Sequence, residues 1–355
     1  MTADAAAGAN ARADANAGGN THASVPPVVF DALTTSVLDR TYAEKLLALG
    51  IQATHYTVAD TSLVHGEVLQ DDFAMACRKI GRWYRVLDEL RDVAALATNV
   101  GEMDEVVASG RLAIWFGFQN GSPIEDDLDH LTLFHRLGVR FVQLTYNARN
   151  LLGSGAGERN DDGLSDLGIA AVQRMNELGI AVDLSHCHER TTMDAIDASS
   201  APVLFTHANA RALADTPRNK RDEAIVALAR KGGVMGIKHM LGDTVAKPAE
   251  ATTVDDVADH VAYVARLVGI EHVGIGSDFS GTTDRSATAS EAIDAIRRRW
   301  PGAYLGRRAK PRGFDTIDGW PNLTGALRAR GFGDAELAAI YGGNWRRVML
   351  EIVGG

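Results

Sequence analysis

The sequence predicts a single (β/α)8 TIM barrel over residues 26–355, and three observations carry it. Eight apolar runs of strand length recur along the chain. Segments with apolar spacing near 3.6 separate most of them. Polar or ionisable residues gather where the runs end. At 355 residues the chain has the length of one large α/β barrel with insertions, or of two ordinary domains.

The first run is VPPVVFD (25–31), and YAEKLLALG supplies a helix before the second run, IQATHYTV (51–58). The third, LAIWFGFQ (112–119), precedes the helical segment DDLDHLTLFHRLG. The fourth, VRFVQLTY (139–146), is followed by SDLGIAAVQRMNELG and then by the fifth, IAVDLSH (180–186). The sixth, APVLFTH (201–207), leads through EAIVALARKG to the seventh, GGVMGIK (232–238). The helix VDDVADHVAYVARLVG then precedes the eighth, HVGIGSD (272–278). Several helical segments stop at Gly, a common C-terminal signal. The runs are apolar nearly throughout rather than alternating, as a parallel sheet covered on both faces requires.

Composition narrows the function classes. Lys plus Arg number 36 against 46 Asp plus Glu, a net charge of −10, which argues against nucleic-acid binding and against anionic lipid surfaces. No stretch approaches 18 consecutive apolar residues, so no transmembrane helix is expected. Residues 1–25, rich in Ala, Asn and Gly, lack the basic and apolar regions of a signal peptide and read as a disordered tail. Two cysteines, Cys77 and Cys187, cannot build a disulfide framework, so the expected location is cytoplasmic.

Gln119 ends the third run, Tyr146 the fourth, His186 the fifth, His207 the sixth and Asp278 the eighth, while His239 follows the seventh. That end of a barrel carries the active site in essentially every characterised barrel enzyme. One polar residue there can simply cap a strand; six together predict a pocket. GIGSDFSG has the wrong glycine spacing for a dinucleotide loop, and no G-x-S-x-G elbow occurs. Cys187 lies between His186 and His188, but nothing identifies a base aimed at it, so it reads as a strand-end thiol.

DLSH (183–186), FTHANARALADTPRNKRD (205–222), GIGSDFSG (274–281) and GGNWRRVM (342–349), in that order, resemble the membrane or renal dipeptidase family, peptidase family M19, within the metal-dependent, amidohydrolase-like barrels. GVRFVQLTYNARN (138–150) followed by GLSDLG (163–168) extends the match across about residues 25–352. The resemblance implies a two-metal site, usually zinc, with a His-x-Asp pair on the first strand, a bridging Glu on the third, and a His on each of the fifth and sixth. It further implies a His after the fourth strand, an Arg in an R-N motif and an Asp at the eighth, all serving substrate or catalysis.

Several of those positions differ here. The first motif reads D-A-L-T-T, placing Leu33 and Thr35 where the His-x-Asp pair belongs, Gln119 replaces the bridging Glu, and Tyr146 replaces the His; His186, His207, Arg218 and Asp278 remain. Leu33 cannot ligate, Thr35 is a poor neutral ligand, and Gln119 cannot bridge two cations with a shared negative charge. The expectation is therefore one divalent ion, zinc, at His186 and His207 with Asp278 and Gln119 nearby, or no metal at all. Arg218 would hold a substrate carboxylate, Tyr146 and Gln119 would touch substrate, and Asp278 with Tyr146 would serve catalysis.

His55 and His239 are candidate replacement ligands, and more simply pocket walls. Asp31 reads as a strand-end hydrogen-bonding group, His65 and His188 as loop residues. The basic stretch 295–321 reads either as a surface loop or, through the resemblance, as one that covers the site or meets a partner in a homodimer. Two functions follow: a metal-dependent hydrolase of a small amide or dipeptide-like substrate with a free carboxylate, or a relative that performs other chemistry on, or only binds, a small nitrogenous acid.

Overall fold

The computed structural model describes residues 28–59, 61–64, 67–239, 251–280, 298 and 310–355. The expected tail 1–25, His65 and most of 295–309 lie outside the described residues.

Eight parallel strands form the barrel wall. They are β1 (Val29–Thr34), β2 (Ile51–Ala59), β3 (Leu112–Phe118), β4 (Val139–Gln143), β5 (Ala181–Asp183), β6 (Val203–Ala208), β7 (Val234–Ile237) and β8 (Val273–Ile275). Each falls within or overlaps one of the eight apolar runs, and each pairs with the next in chain order. The ring closes just beyond β8, where Thr34 bridges Phe279 in parallel, the Asp278 N–H donates to the Leu33 carbonyl at 2.9 Å and the Thr35 N–H to the Phe279 carbonyl at 2.9 Å. The barrel that the sequence predicts is the fold observed.

Helices α1 (Arg40–Ala48), α2 (Phe73–Glu89), α3 (Val100–Ala108), α4 (Asp129–Arg136), α5 (Asp166–Leu178), α6 (Glu189–Ala198), α7 (Asp222–Arg230) and α8 (Val254–Val268) surround it. Their ends follow from local chemistry. The Asp72 side chain accepts from the Met75 N–H at the start of α2, and Ser165 accepts from the Gly168 N–H at the start of α5. Thr253 and Asp256 form a reciprocal capping box on α8. Gly179 stops α5 in the left-handed region at φ 70°.

The apolar residues divide into two layers. Phe30, Ala53, Trp115, Phe141, Leu204 and Val234 fill the lumen with Trp345, which enters from the last helix, Asn344–Ile352. A larger shell, including Phe116, Phe134, Phe205, Ile225 and Val261, seals strands against helices. Additions to the plain βα pattern are an antiparallel hairpin, Thr61–Val64 with Glu67–Gln70, and a short strand, Ala94–Leu96, beside β3. No helix among the described residues is long and apolar enough to cross a membrane.

Candidate active site

The C-terminal mouth of the barrel brings His186 and His207 together. His207 lies on β6 and His186 three residues beyond β5, and their Nε2 atoms stand 3.0 Å apart. Both rings are oriented from behind. His186 Nδ1 is 2.9 Å from the Asn147 side-chain oxygen, an acceptor only, so that nitrogen carries the proton. His207 Nδ1 is 2.9 Å from Thr206 Oγ1, whose own proton goes to Asp183 Oδ2 at 2.6 Å, so His207 Nδ1 also donates. Each Nε2 therefore presents a lone pair to the other.

Asp183 is the anchor beneath this pair. It accepts from Ser185 N–H at 3.0 Å, Ser185 Oγ at 2.5 Å, and Thr206 N–H at 3.1 Å, besides Thr206 Oγ1. Burial pushes its carboxyl above the usual range, and those four donors pull it back. Lys220 braces the same turn, donating to the carbonyls of Leu184 at 2.6 Å and Cys187 at 2.9 Å and to Thr192 Oγ1 at 3.1 Å. Burial lowers its ammonium to about 8. Asp183, Thr206, Asn147 and Lys220 were not singled out from sequence. A carboxylate inside the apolar run IAVDLSH was the one signal available for Asp183.

The other expected residues divide between two regions of the mouth. The Gln119 amide nitrogen lies 3.4 Å from His207 Nε2, and a half-turn of the amide would offer Oε1 instead. The Tyr146 ring stacks on His186, with centroids 4.3 Å apart and planes 24° from parallel. Arg218 is buried against the backbone of the two histidine segments, where Nη1 donates to the Ser185 carbonyl and Nη2 to the His207 carbonyl at 3.2 Å. Its Nε–H is buried with no protein partner. Asp278 stands two strands from His207 at the closing seam, in the left-handed region at φ 58°. Beside it Asp31 accepts from Ser277 N–H at 2.7 Å and Oγ at 2.5 Å, and burial raises the Asp31 carboxyl to about 7.

The remaining histidines have defined surroundings. His55 faces the lumen, stacked 4.3 Å from Phe141 with Nδ1 on the Ala32 carbonyl at 2.9 Å, and burial lowers it to about 4. Its Nε2 is buried with no protein partner. Gly117 leaves room for it, since a Cβ there would lie 2.0 Å from that nitrogen. His239 packs on Phe279, centroids 4.2 Å apart. His188 caps α6 and faces Asp161 at 2.5 Å. Cys187 is buried, its thiol raised by burial and accepting from Thr145 Oγ1 at 3.4 Å.

Burial, reinforced by the Arg218 charge, holds both site imidazoles well below their usual value and therefore neutral. Two neutral imidazoles with facing lone pairs suit one cation between them. They do not suit two: Leu33 is fully buried and apolar, and Thr35 Oγ1 is turned to the Phe279 carbonyl at 3.4 Å. Among the described residues no group of three or more His, Cys, Asp or Glu gathers as a ligand set. The neutral Gln119 amide is the side-chain donor group that lies beside His207 Nε2, at 3.4 Å.

Comparison with known proteins agrees with this architecture. The sequence profile of the membrane dipeptidase family, peptidase family M19, matches residues 32–295. The dipeptidase verJ of Clonostachys rogersoniana is 33% identical over 271 residues, 76% of this chain and 63% of that protein. The chain spans about half to two thirds of the length of the curated relatives it matches. Among solved structures, an amidohydrolase from Pseudomonas aeruginosa superposes with a TM-score of 0.82 at 30% identity, covering 93% of this chain and 97% of that one. Dipeptidase AC, a metallopeptidase of family M19, shares the fold with a TM-score of 0.74 at 21% identity, covering 93% of this chain and all of that one. With the profile covering most of the barrel and a 30% identical structure aligned along nearly its whole length, this chain belongs to the membrane dipeptidase family, peptidase family M19.

Proposed function

We propose that the protein is a metal-assisted hydrolase of a small amide or dipeptide-like substrate with a free carboxylate, working with one divalent ion, zinc. The observation that carries this reading is the pair of inward Nε2 lone pairs, His186 against His207 at 3.0 Å, with both Nδ1 protons held behind. His186 and His207 would hold the ion, with the Gln119 amide beside them. When bound, such an ion lowers the pKa of a water and polarises a carbonyl. The protein's own groups do the rest. Tyr146, stacked on His186, donates a hydrogen bond to the oxygen on which negative charge develops. Asp278 accepts and returns the proton that moves during amide cleavage. Arg218, through its unpartnered Nε–H and remaining guanidinium protons, pairs with the substrate carboxylate.

The buried Leu33 and the Gln119 amide favour a second reading, in which the site performs other chemistry on a small nitrogenous acid or only binds it. A dipeptide panel with added Zn²⁺, Mn²⁺ or Co²⁺ separates the two. The first reading expects slow, metal-dependent turnover lost in His186→Ala and weakened binding in Arg218→Ala. No turnover with any ion, alongside retained binding of amino-acid-like acids, selects the second. Size-exclusion chromatography tests the homodimer.

A further inference from the structure

The backbone and the side chain of Lys220 hold two different pieces of the site. Its N–H donates to the Asn209 carbonyl at 2.9 Å, and its carbonyl accepts from the Arg211 N–H at 2.8 Å. Both partners lie just past β6, the strand that carries His207. The side chain crosses to the other piece. Nζ donates to the carbonyls of Leu184 at 2.6 Å and Cys187 at 2.9 Å, the two ends of the turn that carries His186. That turn closes through the Cys187 N–H, which donates to the Leu184 carbonyl at 3.1 Å. The third Nζ proton goes to Thr192 Oγ1 on α6 at 3.1 Å. The ammonium also stands 5.0 Å from the centre of the Phe205 ring, in the shell between strands and helices. An ammonium has three protons to give, and all three are spent on the protein.

We propose that Lys220 is a positioning residue of the ion site, a crosspiece that sets the separation of His186 from His207 without touching ion or substrate. This rests on the reading of the two histidines as holders of one ion. The physical need is clear from β5, whose ladder with β6 ends at Asp183. Carbonyls beyond that point leave the sheet while still buried, and buried carbonyls need donors. A neutral, apolar residue at 220 would leave the two ends of the His186 turn without this tie to the β6 side. Zinc accepts imidazole nitrogens within a narrow range near about 2.0–2.1 Å, so a turn free to shift weakens the pair as a ligand set.

The experiment uses the full chain, stripped of metal with a chelator, as wild type, Lys220→Met, Lys220→Gln and Leu323→Ala. Leu323 is a buried shell residue on the helix Trp320–Ala329, and its truncation serves as a control for general loss of stability. Each protein is titrated with Zn²⁺ alone, and thermal melts establish the fold and its stability. Lys220→Met is expected to bind Zn²⁺ about 10–100-fold more weakly. Lys220→Gln keeps two N–H donors and is expected to fall between Lys220→Met and wild type; it carries the test if Lys220→Met does not fold. Leu323→Ala should bind as wild type does. Without metal, ¹⁵N-histidine spectra should show the His186 ring signals, assigned by their loss in His186→Ala, shifted in the Lys220 variants. The His55 signals, set by the Ala32 carbonyl, should stay in place. Unchanged Zn²⁺ affinity in a folded Lys220 variant, or a loss that Leu323→Ala reproduces, overturns the proposal. Wild type that binds no Zn²⁺ overturns the one-ion reading instead; the His186 signals then decide whether Lys220 positions that ring.

Discussion

His186 and His207 present their Nε2 atoms to each other at 3.0 Å, while the opposite edge of each ring is held by Asn147 or Thr206. Two acceptors facing one another in a buried site repel unless a proton or cation lies between them. The proton is disfavoured, because burial and Arg218 keep both rings neutral.

Metal content follows from that pair. Wild type dialysed against Zn²⁺ should retain about one equivalent, and His186→Ala or His207→Ala none, as read by elemental analysis. Gln119→Glu should not create a second site, because Leu33 and Thr35 still offer no ligand in place of the pair. Both rings are already deprotonated in the folded state, so Zn²⁺ affinity should stay flat between about pH 8 and pH 6.5. Two tightly held equivalents in wild type would show that other donors had replaced the lost ligands.

Thr206→Val should damage the same site from behind. The substitution removes the hydroxyl that links Asp183 to His207 Nδ1 while nearly preserving shape. Zn²⁺ affinity should fall about 10–100-fold, the usual effect of losing a group that orients a ligand. Calorimetric titration checks this, and an unchanged affinity would mean that His207 is oriented by packing alone.

Gly117→Ala should destabilise the barrel through one contact. The new methyl would sit 2.0 Å from His55 Nε2 and 2.7 Å from Phe141 Cβ. Overpacking of this kind costs about 1–3 kcal/mol, read as a lower urea midpoint. Combining it with His55→Ala should return part of that loss, so the double-mutant cycle should show coupling of about 1 kcal/mol.

Asp31→Asn should flatten the pH dependence of stability. In the folded protein the Asp31 carboxyl is raised from 3.8 to about 7 by burial, so the native state holds a proton that the unfolded chain releases. That contribution is fully present below pH 3.8 and is lost as pH rises through about 7. With 1.36 kcal/mol for each unit of separation, its upper bound is about 4 kcal/mol. Thermal melts from pH 4 to 8 should therefore slope downward less steeply in Asp31→Asn than in wild type. Equal slopes would place the Asp31 titration elsewhere.

The eight barrel strands were legible because a sheet buried on both faces needs continuous apolar runs, and such runs are local in the chain. The hairpin at 61–70 was not, since four-residue strands leave too short a pattern to distinguish from a loop. Motif order likewise singled out His186, His207, Arg218 and Asp278 as candidates for one mouth, and Leu33, Thr35 and Gln119 as positions that depart from the family pattern.

Sequence by itself thus determined the fold and the family, and named the candidates for the site. Tertiary structure decided what each group touches. Asp183 reaches Thr206 across 23 residues, Arg218 reaches back to the Ser185 carbonyl across 33, and Ser277 meets Asp31 across 246. Those contacts arise only when the barrel closes between Thr34 and Phe279, because closure, and not spacing along the chain, brings strand ends distant in sequence around one mouth.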